Sequence, residues 1–459
     1  MNQPRDDAPR PLVAALMLTA TLNPLNSTMI AVALPAIAAA FGVSGGTATT
    51  WLVTSYLIVN IALVTSAGKL GDLLGRRRAL RLGQTALALG AIVGGVSPVL
   101  SGVVAGRILM AAGGAIVIPA VMATLRDAFA PERRSRLFAS LGALMGVAAA
   151  IGPVLGGVLT ARVGWQAIFL VNAPLLMVAA VLARDVPIGG GEPPERRGKP
   201  ALERFDIPGG VLLVLGLGTL ALGLRVSGWR WGLLLLGAGL LVAFVFRERR
   251  AVEPLIDLRL FRKTHFVAGG LVVALQNLSM YALLFQLPFL FEGPMGLDAE
   301  RGGRVLLVMM AAMVVTAPIG GLLSERIGIR TTVLIGLAAG VGGLFVGLRA
   351  LETQSLGLLT VCLAGIGLGL GFVTGPNQAA ALSAVSTRES GVASGVFSTV
   401  RYLGGLAGVS VIAVVINGGD GSGLLAGHRL CLWIYIAAHA VAMSLAILLP
   451  HRIRPLEAA

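Results

Sequence analysis

The sequence predicts an all-helical membrane protein with fourteen transmembrane spans, and twelve spans with two misread segments are the alternative. Of its 459 residues, 56% are hydrophobic and 12% are charged, and that charged fraction is about half of what soluble domains carry. Apolar runs of about 20 residues, the length that crosses a bilayer as a helix, recur along nearly the whole chain. The runs are continuously apolar and do not alternate with a period of two, which favours helices over a β-barrel. A water-soluble enzyme or regulator is therefore not expected.

The predicted spans follow the apolar runs from the first to the last. Their boundaries are 12–40, 49–69, 79–100, 103–125, 138–160, 166–184, 208–225, 230–247, 265–291, 303–323, 331–349, 356–382, 391–416 and 430–450. The connections between them are too short to hold an extramembrane domain. The N-terminal stretch MNQPRDDAPR precedes the first span without a convincing cleavage site, so we expect an uncleaved start.

The distribution of basic residues predicts the orientation of these spans. The net charge is +15, and the loops on the side of the N-terminus hold 27 of the 36 lysines and arginines, against 7 on the other side. Because basic loops stay in the cytoplasm, both termini are predicted to be cytoplasmic, in a multi-pass protein of the inner cell membrane. Since the basic clusters lie between apolar runs, they indicate membrane topology, and no nucleic-acid partner is expected.

Two loops carry matching residues at an offset of 253 and indicate two homologous halves. GKLGDLLGRRRAL at 68–80 follows span 2, and GLLSERIGIR at 321–330 follows span 10. Both loops follow spans that run in the same direction, so the repeat is parallel, as in transporters made of two six-helix bundles. The sequence then divides into a first bundle at 1–184, a cytoplasmic linker at 185–207, an inserted helix pair at 208–250 and a second bundle at 251–459.

These motifs resemble the major facilitator superfamily, and the span count resembles its fourteen-span drug:proton antiporter branch. GKLGDLLGRR is similar to the signature G-x-L-x-D-x-x-G-R-R. Four further segments are similar to motifs of the branch: RILMAAGGAIVIPA, GPVLGG, GWQAIFLVNAPL and SGVFSTVRYLGG, in spans 4, 5, 6 and 13. The resemblance implies two six-helix bundles with two inserted central helices. It also implies multidrug efflux or antibiotic resistance by alternating access.

The main departure from the family pattern is in span 1. LNSTMIAVALP resembles L-D-x-T-I-V-N-V-A-L-P, but Asn26 replaces the aspartate that the resemblance links to proton coupling. An asparagine cannot titrate. All 21 Asp and Glu residues lie in loops or at span ends, and Glu292, at the edge of span 9, is the nearest to an exception. His439 is the one group titrating near neutral pH that we predict well inside a span, and a packed core histidine is the alternative.

The matching loops are the predicted conformational switch. An acid at a helix end with neighbouring arginines can hold one of two packings of the bundles. The predicted switch residues are Asp72, Gly75, Arg76, Arg77, Glu325 and Arg330. The alternative for the arginines is plain positive-inside topology.

The glycines of span 5 form the antiporter-type motif. Gly152, Pro153, Gly156 and Gly157 remove side-chain bulk and one backbone donor, which permits close helix contact and a bend. Generic helix packing is the alternative, because the chain has 63 glycines.

Polar side chains inside the spans are the predicted substrate-cavity or coupling residues. They are Asn26, Asn60, Arg107, Gln276, Asn277, Tyr281 and Arg401. Such groups face other helices or water, so hydrogen bonding between helices without substrate contact is the alternative. For Arg107, snorkelling toward the membrane surface is a second one.

The predicted function is export of small amphipathic molecules, proton-linked by the family resemblance. The two span arginines and the lack of a membrane carboxylate favour neutral or anionic substrates. An uncoupled carrier, a lipid transporter or a non-transporting membrane sensor are the alternatives. We expect no catalytic residue, metal or cofactor, and a monomer whose partners are the bilayer, the substrate and protons.

Overall fold

The structure is a computed structural model, and it is helical throughout the part of the chain that it describes. That part comprises residues 10–64, 75–129, 131–182, 206–224, 228–251, 254–386, 389–415 and 421–452, and no β-strand occurs in it. The predicted linker at 185–207 lies almost wholly outside it, as does Asp72 of the predicted switch.

Fourteen helices make up the described residues, and we number them α1 to α14 in chain order. The first seven are Arg10–Ala40, Gly45–Val64, Arg76–Val96, Leu100–Ala128, Pro131–Arg162, Ala167–Leu182 and Ile207–Gly223. The others are Arg230–Glu248, Thr264–Glu292, Ala299–Ile327, Ile329–Thr353, Leu356–Leu382, Ser390–Val415 and Gly421–Ala446. A π-helical turn at Thr50–Thr54 interrupts α2, and a 3-10 turn at Leu258–Arg262 precedes α9.

Twelve of these helices are long and apolar enough to cross a membrane, so the predicted count of fourteen spans is not supported. The two exceptions are the shorter apolar helices Ala167–Leu182 and Pro208–Gly223. At a rise of 1.5 Å per residue, 16 residues reach about 24 Å, which is less than the ~30 Å of hydrocarbon in a bilayer. The chain is therefore a multi-pass membrane protein with twelve candidate spans among its described residues.

The chain forms two compact units. One consists of Met1–Val43 and Thr50–Leu255, and the other of Ser44–Thr49 and Ile256–Ala459. The finer domain boundaries at 184, 207 and 250 stay predictions.

Within each unit, the same helices in order pack against one another. In the first unit the most extensive contacts join α3 with α4 and α1 with α5. In the second unit α11 packs extensively on α12 and α9 on α13, and α10 also packs on α12. The pair α3–α4 corresponds to α11–α12, and the pair α1–α5 corresponds to α9–α13, because equivalent helices differ by eight in number. Backbone contact is close in both: a Cβ on Gly90 would lie 2.6 Å from the Gly106 carbonyl oxygen, and one on Gly369 would lie 2.5 Å from that of Gly336. Small residues let membrane helices approach in this way.

The outer faces of the helices are apolar. Large hydrophobic side chains stay exposed on many of them, including Met177, Leu235, Val242 and Val315. Soluble monomers rarely expose so much apolar surface, whereas lipid tails solvate it. The polar side chains inside the helices point inward instead, and they are the candidates for function.

Candidate substrate-binding and coupling residues

Arg107 lies in a buried polar cluster between α2 and α4. Its Cζ lies 4.2 Å from the centroid of the Tyr56 ring, and its Nε donates to the backbone oxygen of Leu52 over 3.4 Å. The Tyr56 hydroxyl in turn donates to Asn23 Oδ1 on α1 over 2.5 Å. Arg107 is only 2% exposed, so the structure places it inside the unit and not at a snorkelling position. A ring face and a carbonyl replace the carboxylate that a buried arginine usually finds.

The π-helical turn explains why a carbonyl of α2 is available to Arg107. Leu52 is at the centre of Thr50–Thr54, where the regular hydrogen bonds of the α-helix are displaced. π-helical turns are frequent at functional sites. Asn60, one turn further along α2, is buried and donates to its own helix, to the Tyr56 backbone oxygen over 2.9 Å. Asn60 therefore has no part in the arginine cluster that the structure shows.

Asn26 is held by an amide pair and not by a charged group. Its Nδ2 donates to Asn172 Oδ1 over 2.7 Å, and Asn172 Nδ2 donates back to Asn26 Oδ1 over 2.8 Å. Both residues are buried. Asn172 belongs to the segment GWQAIFLVNAPL, so the pair joins α1 to the start of α6. The family motifs of spans 1 and 6 thus meet at this point.

The glycines of the span 5 motif bring α5 against α1. A Cβ on Gly152 would collide with the Thr28 hydroxyl, and one on Gly156 would lie 2.7 Å from the Met29 backbone oxygen. Pro153 lies inside α5 between them, and Gly157 is buried beside Gly156. The motif therefore makes a close helix contact within the first unit.

Arg401 is a half-buried arginine with one nitrogen unsatisfied. Its Nη2 donates to Gln378 Oε1 on α12 over 3.2 Å, and its Cζ lies 5.7 Å from the Phe397 ring centroid. Its Nε is buried and finds no acceptor within the described residues. This guanidinium keeps a donor for a further oxygen atom.

The three predicted residues of α9 contact different neighbours. Gln276 Nε2 donates to the Gly369 backbone oxygen on α12 over 3.1 Å, whereas Asn277 donates to its own helix. Tyr281 packs on Gly405 of α13, where a Cβ would lie 3.0 Å from the ring. These contacts join helices, and Gln276 Oε1 is left without a partner in the described part of the unit.

Gly75 and Gly328, at equivalent positions of the two loops, share one backbone conformation. Gly75 has φ 80° and ψ 144°, and Gly328 has φ 91° and ψ 152°. Positive φ of this kind favours glycine. Each glycine stands immediately before a helix, α3 or α11, so the repeat at offset 253 is a repeat of backbone geometry as well.

The charged residues of the predicted switch have separate surroundings. Arg330 Nε donates to the Leu449 backbone oxygen just beyond α14, over 2.9 Å. Arg77 and Glu325 are exposed, and Arg76 is partly buried with a partner. Asp72 itself lies outside the described residues.

A buried polar group on α14 is the main feature that sequence reasoning missed. Gln286 of α9 donates from Nε2 to His428 Nδ1 over 2.7 Å, and its Oε1 accepts from the Tyr435 hydroxyl over 2.8 Å. His428 lay outside the predicted span 430–450, but α14 begins at Gly421 and buries it completely. The spacing of residues 428, 435 and 439, which share one helix face, is the signal that could have found it.

The structure shows no metal-binding arrangement in the residues that it describes. No group of three or more His, Cys, Asp or Glu side chains lies close enough there to hold an ion. Both cysteines, Cys362 and Cys431, are buried and free.

Comparison of the sequence with known proteins identifies a family and several relatives. The profile of the family described as the Major Facilitator Superfamily matches residues 16–409. The chain is 29% identical over 421 residues to the multidrug transporter protein MdtP of Bacillus subtilis, covering 90% of this chain and 76% of that protein. It is also 29% identical over 416 residues to the tetracenomycin C resistance and export protein of Streptomyces glaucescens, covering 89% and 76%.

A solved structure shares the fold at low sequence identity. The crystal structure of a D-xylose-proton symporter matches with a TM-score of 0.70 and 15% identity, over 96% of this chain and 98% of that one. At this identity the likeness concerns the fold alone.

Proposed function

Because the chain belongs to the Major Facilitator Superfamily and is therefore a membrane transporter, we propose that it exports small amphipathic molecules from the cell. Two of its relatives are named as a multidrug transporter and as a resistance and export protein. Their similarity extends over 89 to 90% of this chain, which includes both units. Drugs, antibiotics and secondary metabolites are the proposed substrates, and the cell membrane is the proposed location.

Arg401 carries the proposal that the substrates are neutral or anionic. Its guanidinium is half-buried, has a single amide acceptor at Gln378 and keeps its Nε unsatisfied. A desolvated cation attracts carbonyl, phenolate or carboxylate oxygens and repels quaternary cations. Arg107 adds a second buried positive charge in the other unit, with no ion-pair partner among the described residues. We propose Asn60, Gln276, Asn277 and Tyr281 as further polar or aromatic residues of the transport path.

We propose alternating access as the mechanism, with the two loops as its switch. The shared backbone of Gly75 and Gly328 supports this role, because matched tight turns can guide equivalent helices in both units. The contact of Arg330 with the Leu449 carbonyl would hold one packing and release in another. Asp72, Arg76, Arg77 and Glu325 are the proposed charged partners of the switch.

We propose that α6 and α7 also cross the membrane, which would give the fourteen spans of the drug:proton antiporter branch. Both are apolar over 16 residues, and Met177 and Val181 of α6 expose apolar side chains as lipid-facing residues do. Fourteen spans also preserve the strong bias of basic residues toward one side, which would place both termini in the cytoplasm. The protein would act as a monomer.

Proton-linked export is the proposed energy source, and an uncoupled carrier is the second candidate. The pair Asn26–Asn172 favours the second candidate, because neither amide can titrate where the branch has an aspartate. Coupling would then need a proton-binding group elsewhere in the chain.

The test is export of a mixed panel by the full-length protein in a bacterial host that lacks its major drug pumps. Anionic, neutral and cationic fluorescent compounds would be loaded, and their retention measured. We expect lower retention of anionic or neutral compounds, and Arg401→Gln should abolish this effect. Arg349→Gln is the matched control, because Arg349 is an exposed arginine paired with Glu352. Export of cationic dyes alone, or full activity of Arg401→Gln, would contradict the proposal.

A further inference from the structure

The face of α14 that packs on α9 carries a chain of buried, hydrogen-bonded polar groups. His428, Gln286 and Tyr435 are linked in that order by bonds of 2.7 and 2.8 Å. His439 belongs to a second group on the same face: its Nδ1 donates to the Tyr435 backbone oxygen over 3.0 Å, and Ser279 Oγ lies 3.3 Å from the same nitrogen. All five residues are at most 2% exposed. The two histidines are eleven residues apart, or about 16 Å along the helix.

We propose that His428 is the proton-binding site of this transporter, and that taking up a proton there opens the α9–α14 contact. His428 lies four residues into the apolar segment Leu425–Ala446, which places it about one turn below a membrane surface and close to a source of protons.

The unsatisfied nitrogen of His428 is the observation that carries this assignment. Its Nδ1 is bonded to Gln286, but its Nε2 is buried and has no partner within the described residues. A neutral imidazole has one donor and one acceptor nitrogen, so one half of this group is unsatisfied in the closed interface. Buried polar groups without partners are costly, and such a group gains most from the entry of water.

Protonation would change the hydrogen bonds that link His428, Gln286 and Tyr435. With a second proton bound, both ring nitrogens of His428 donate, so Gln286 must turn its Oε1 toward His428 and its Nε2 toward Tyr435. The charged ring would then have no acceptor at Nε2 in the closed interface. A buried, unpaired charge is far more costly than a neutral ring, so the proton favours an open, hydrated arrangement. Proton binding and helix separation are coupled for this reason.

The charged and titratable groups around His428 leave it without a counter-ion. On α14 its neighbours are Arg429, Cys431 and Tyr435. On α9 the nearest such groups in sequence are Tyr281, five residues before Gln286, and Glu292, six residues beyond it. On α11 they are Arg349 and Glu352, and Glu352 pairs with Arg429 at 3.6 Å. On α13 they are Arg401 and Tyr402, and no described carboxylate pairs with His428.

Cys431 is a reporter of this interface that the chain already contains. It is 0% exposed and lies three residues from His428 on the same helix. Maleimides react with the thiolate, whose fraction falls about tenfold for each pH unit below the thiol pKa. If opening requires one proton on His428, the open population rises about tenfold per unit below pH ~6.5, the ordinary pKa of an imidazole. The two effects cancel, and the labelling rate should stay nearly flat.

The experiment measures maleimide labelling of Cys431 in the full-length protein in lipid nanodiscs between pH 7 and 5. Peptide mass spectrometry separates Cys431 from Cys362, a second buried cysteine, on α12, which is the internal control. We expect a flat rate at Cys431 in the unmodified protein. In His428→Asn, which keeps a hydrogen-bonding group near the Nδ1 position but cannot titrate, the rate should fall about tenfold per pH unit.

Matched variants separate this effect from a general loss of structure. His265→Asn changes a partly exposed histidine, bonded to the Leu448 backbone oxygen, and should keep the flat profile. His428→Gln is the second non-titrating variant, in case His428→Asn does not fold. A flat profile in both His428 variants, or a tenfold fall per unit in the unmodified protein, would overturn the assignment.

The inference rests on the proposed export function only for its consequence in transport. With a compound that the unmodified protein exports, His428→Asn should allow equilibration across everted vesicles but not accumulation against a gradient. Protonophore-sensitive accumulation that persists in His428→Asn would overturn the inference and leave the export function standing. A profile at Cys431 that depends on His428, in a protein that moves no compound of the panel, would support the proton site and contradict export.

Discussion

Asn26 and Asn172 bind each other through two amide hydrogen bonds of 2.7 and 2.8 Å, and Asn26 is the position where the motif that span 1 resembles has an aspartate. Each amide satisfies a donor and an acceptor of the other, and both are buried. An ionised carboxylate at position 26 would face the Asn172 oxygen without a donor. The pair thus explains how the first unit tolerates the loss of that acid, and it makes a structural role for Asn26 the expected one.

Removing one amide of this pair should lower the free energy of unfolding by more than half of the loss that removing both amides causes. Asn26→Ala leaves the Asn172 Oδ1 without its donor, which typically costs about 1–3 kcal/mol. In the double variant with Asn172→Ala neither amide is left unsatisfied, so the cost should be less than the sum of the single ones. Thermal unfolding of the purified protein measures all three. Ser27→Ala is the control, since Ser27 bonds only to its own helix. Additive losses would show that the pair is not coupled.

Arg107 should depend on its planar guanidinium and on the Tyr56 ring. Arg107→Lys keeps the charge but loses the stacking on the ring and the Nε bond to Leu52. We expect it to lower thermal stability by about 1–2 kcal/mol. Tyr56→Phe should be milder, because it loses the bond to Asn23 but keeps the ring on which Arg107 stacks. A larger loss in Tyr56→Phe than in Arg107→Lys would contradict the role of the ring.

Gly156 should not tolerate a methyl group. A Cβ there would lie 2.7 Å from the Met29 backbone oxygen, so Gly156→Ala must push α5 away from α1, at a cost of about 1–3 kcal/mol. Gly142→Ala is the control on the same helix, because nothing lies within 4 Å of a Cβ at that position. We expect export and stability to fall in Gly156→Ala and to be kept in Gly142→Ala. Equal behaviour of the two variants would show that the helix contact is not needed.

The two loop glycines should differ in how much an alanine costs. Gly75→Ala meets only the strain of a positive φ, about 1–2 kcal/mol, because nothing lies within 4 Å of its Cβ. Gly328→Ala meets the same strain and also His451, whose ring atoms would lie 2.5 Å away. The midpoint of thermal unfolding should therefore fall further in Gly328→Ala. Gly321→Ala is a helical control with open space around its Cβ. If the midpoint of thermal unfolding falls as far in Gly321→Ala as in Gly328→Ala, the role of positive φ and of the His451 contact is contradicted.

The sequence predicted the membrane class, the helical fold and the family, because these depend on continuous apolar runs and on short motifs. The repeat at offset 253 also predicted that the two loops are equivalent, and Gly75 and Gly328 now show the same backbone. The count of fourteen spans is not supported, since apolar composition alone does not reveal that α6 and α7 have only 16 and 17 helical residues in the described part of the chain.

The partners of the polar residues could not be predicted, because a sequence does not show which helix faces meet. Asn26 was expected at a cavity and is bonded to Asn172. His428 was missed because the last helix begins nine residues before the predicted span. Neither contact follows from the hydropathy profile, because a helix that is apolar on all sides shows no difference between the faces that meet a neighbour and those that do not.

The most direct test of proton-linked export is proton-driven accumulation of a substrate in everted vesicles that contain the full-length protein. An anionic or neutral compound that the protein exports would be added with and without a protonophore, and its accumulation measured. We predict that the compound accumulates against a gradient and that the protonophore abolishes this accumulation. Asn26→Ala should reduce the accumulation only in proportion to the amount of folded protein. Accumulation that is insensitive to the protonophore, or equilibration without accumulation, would contradict proton-linked export.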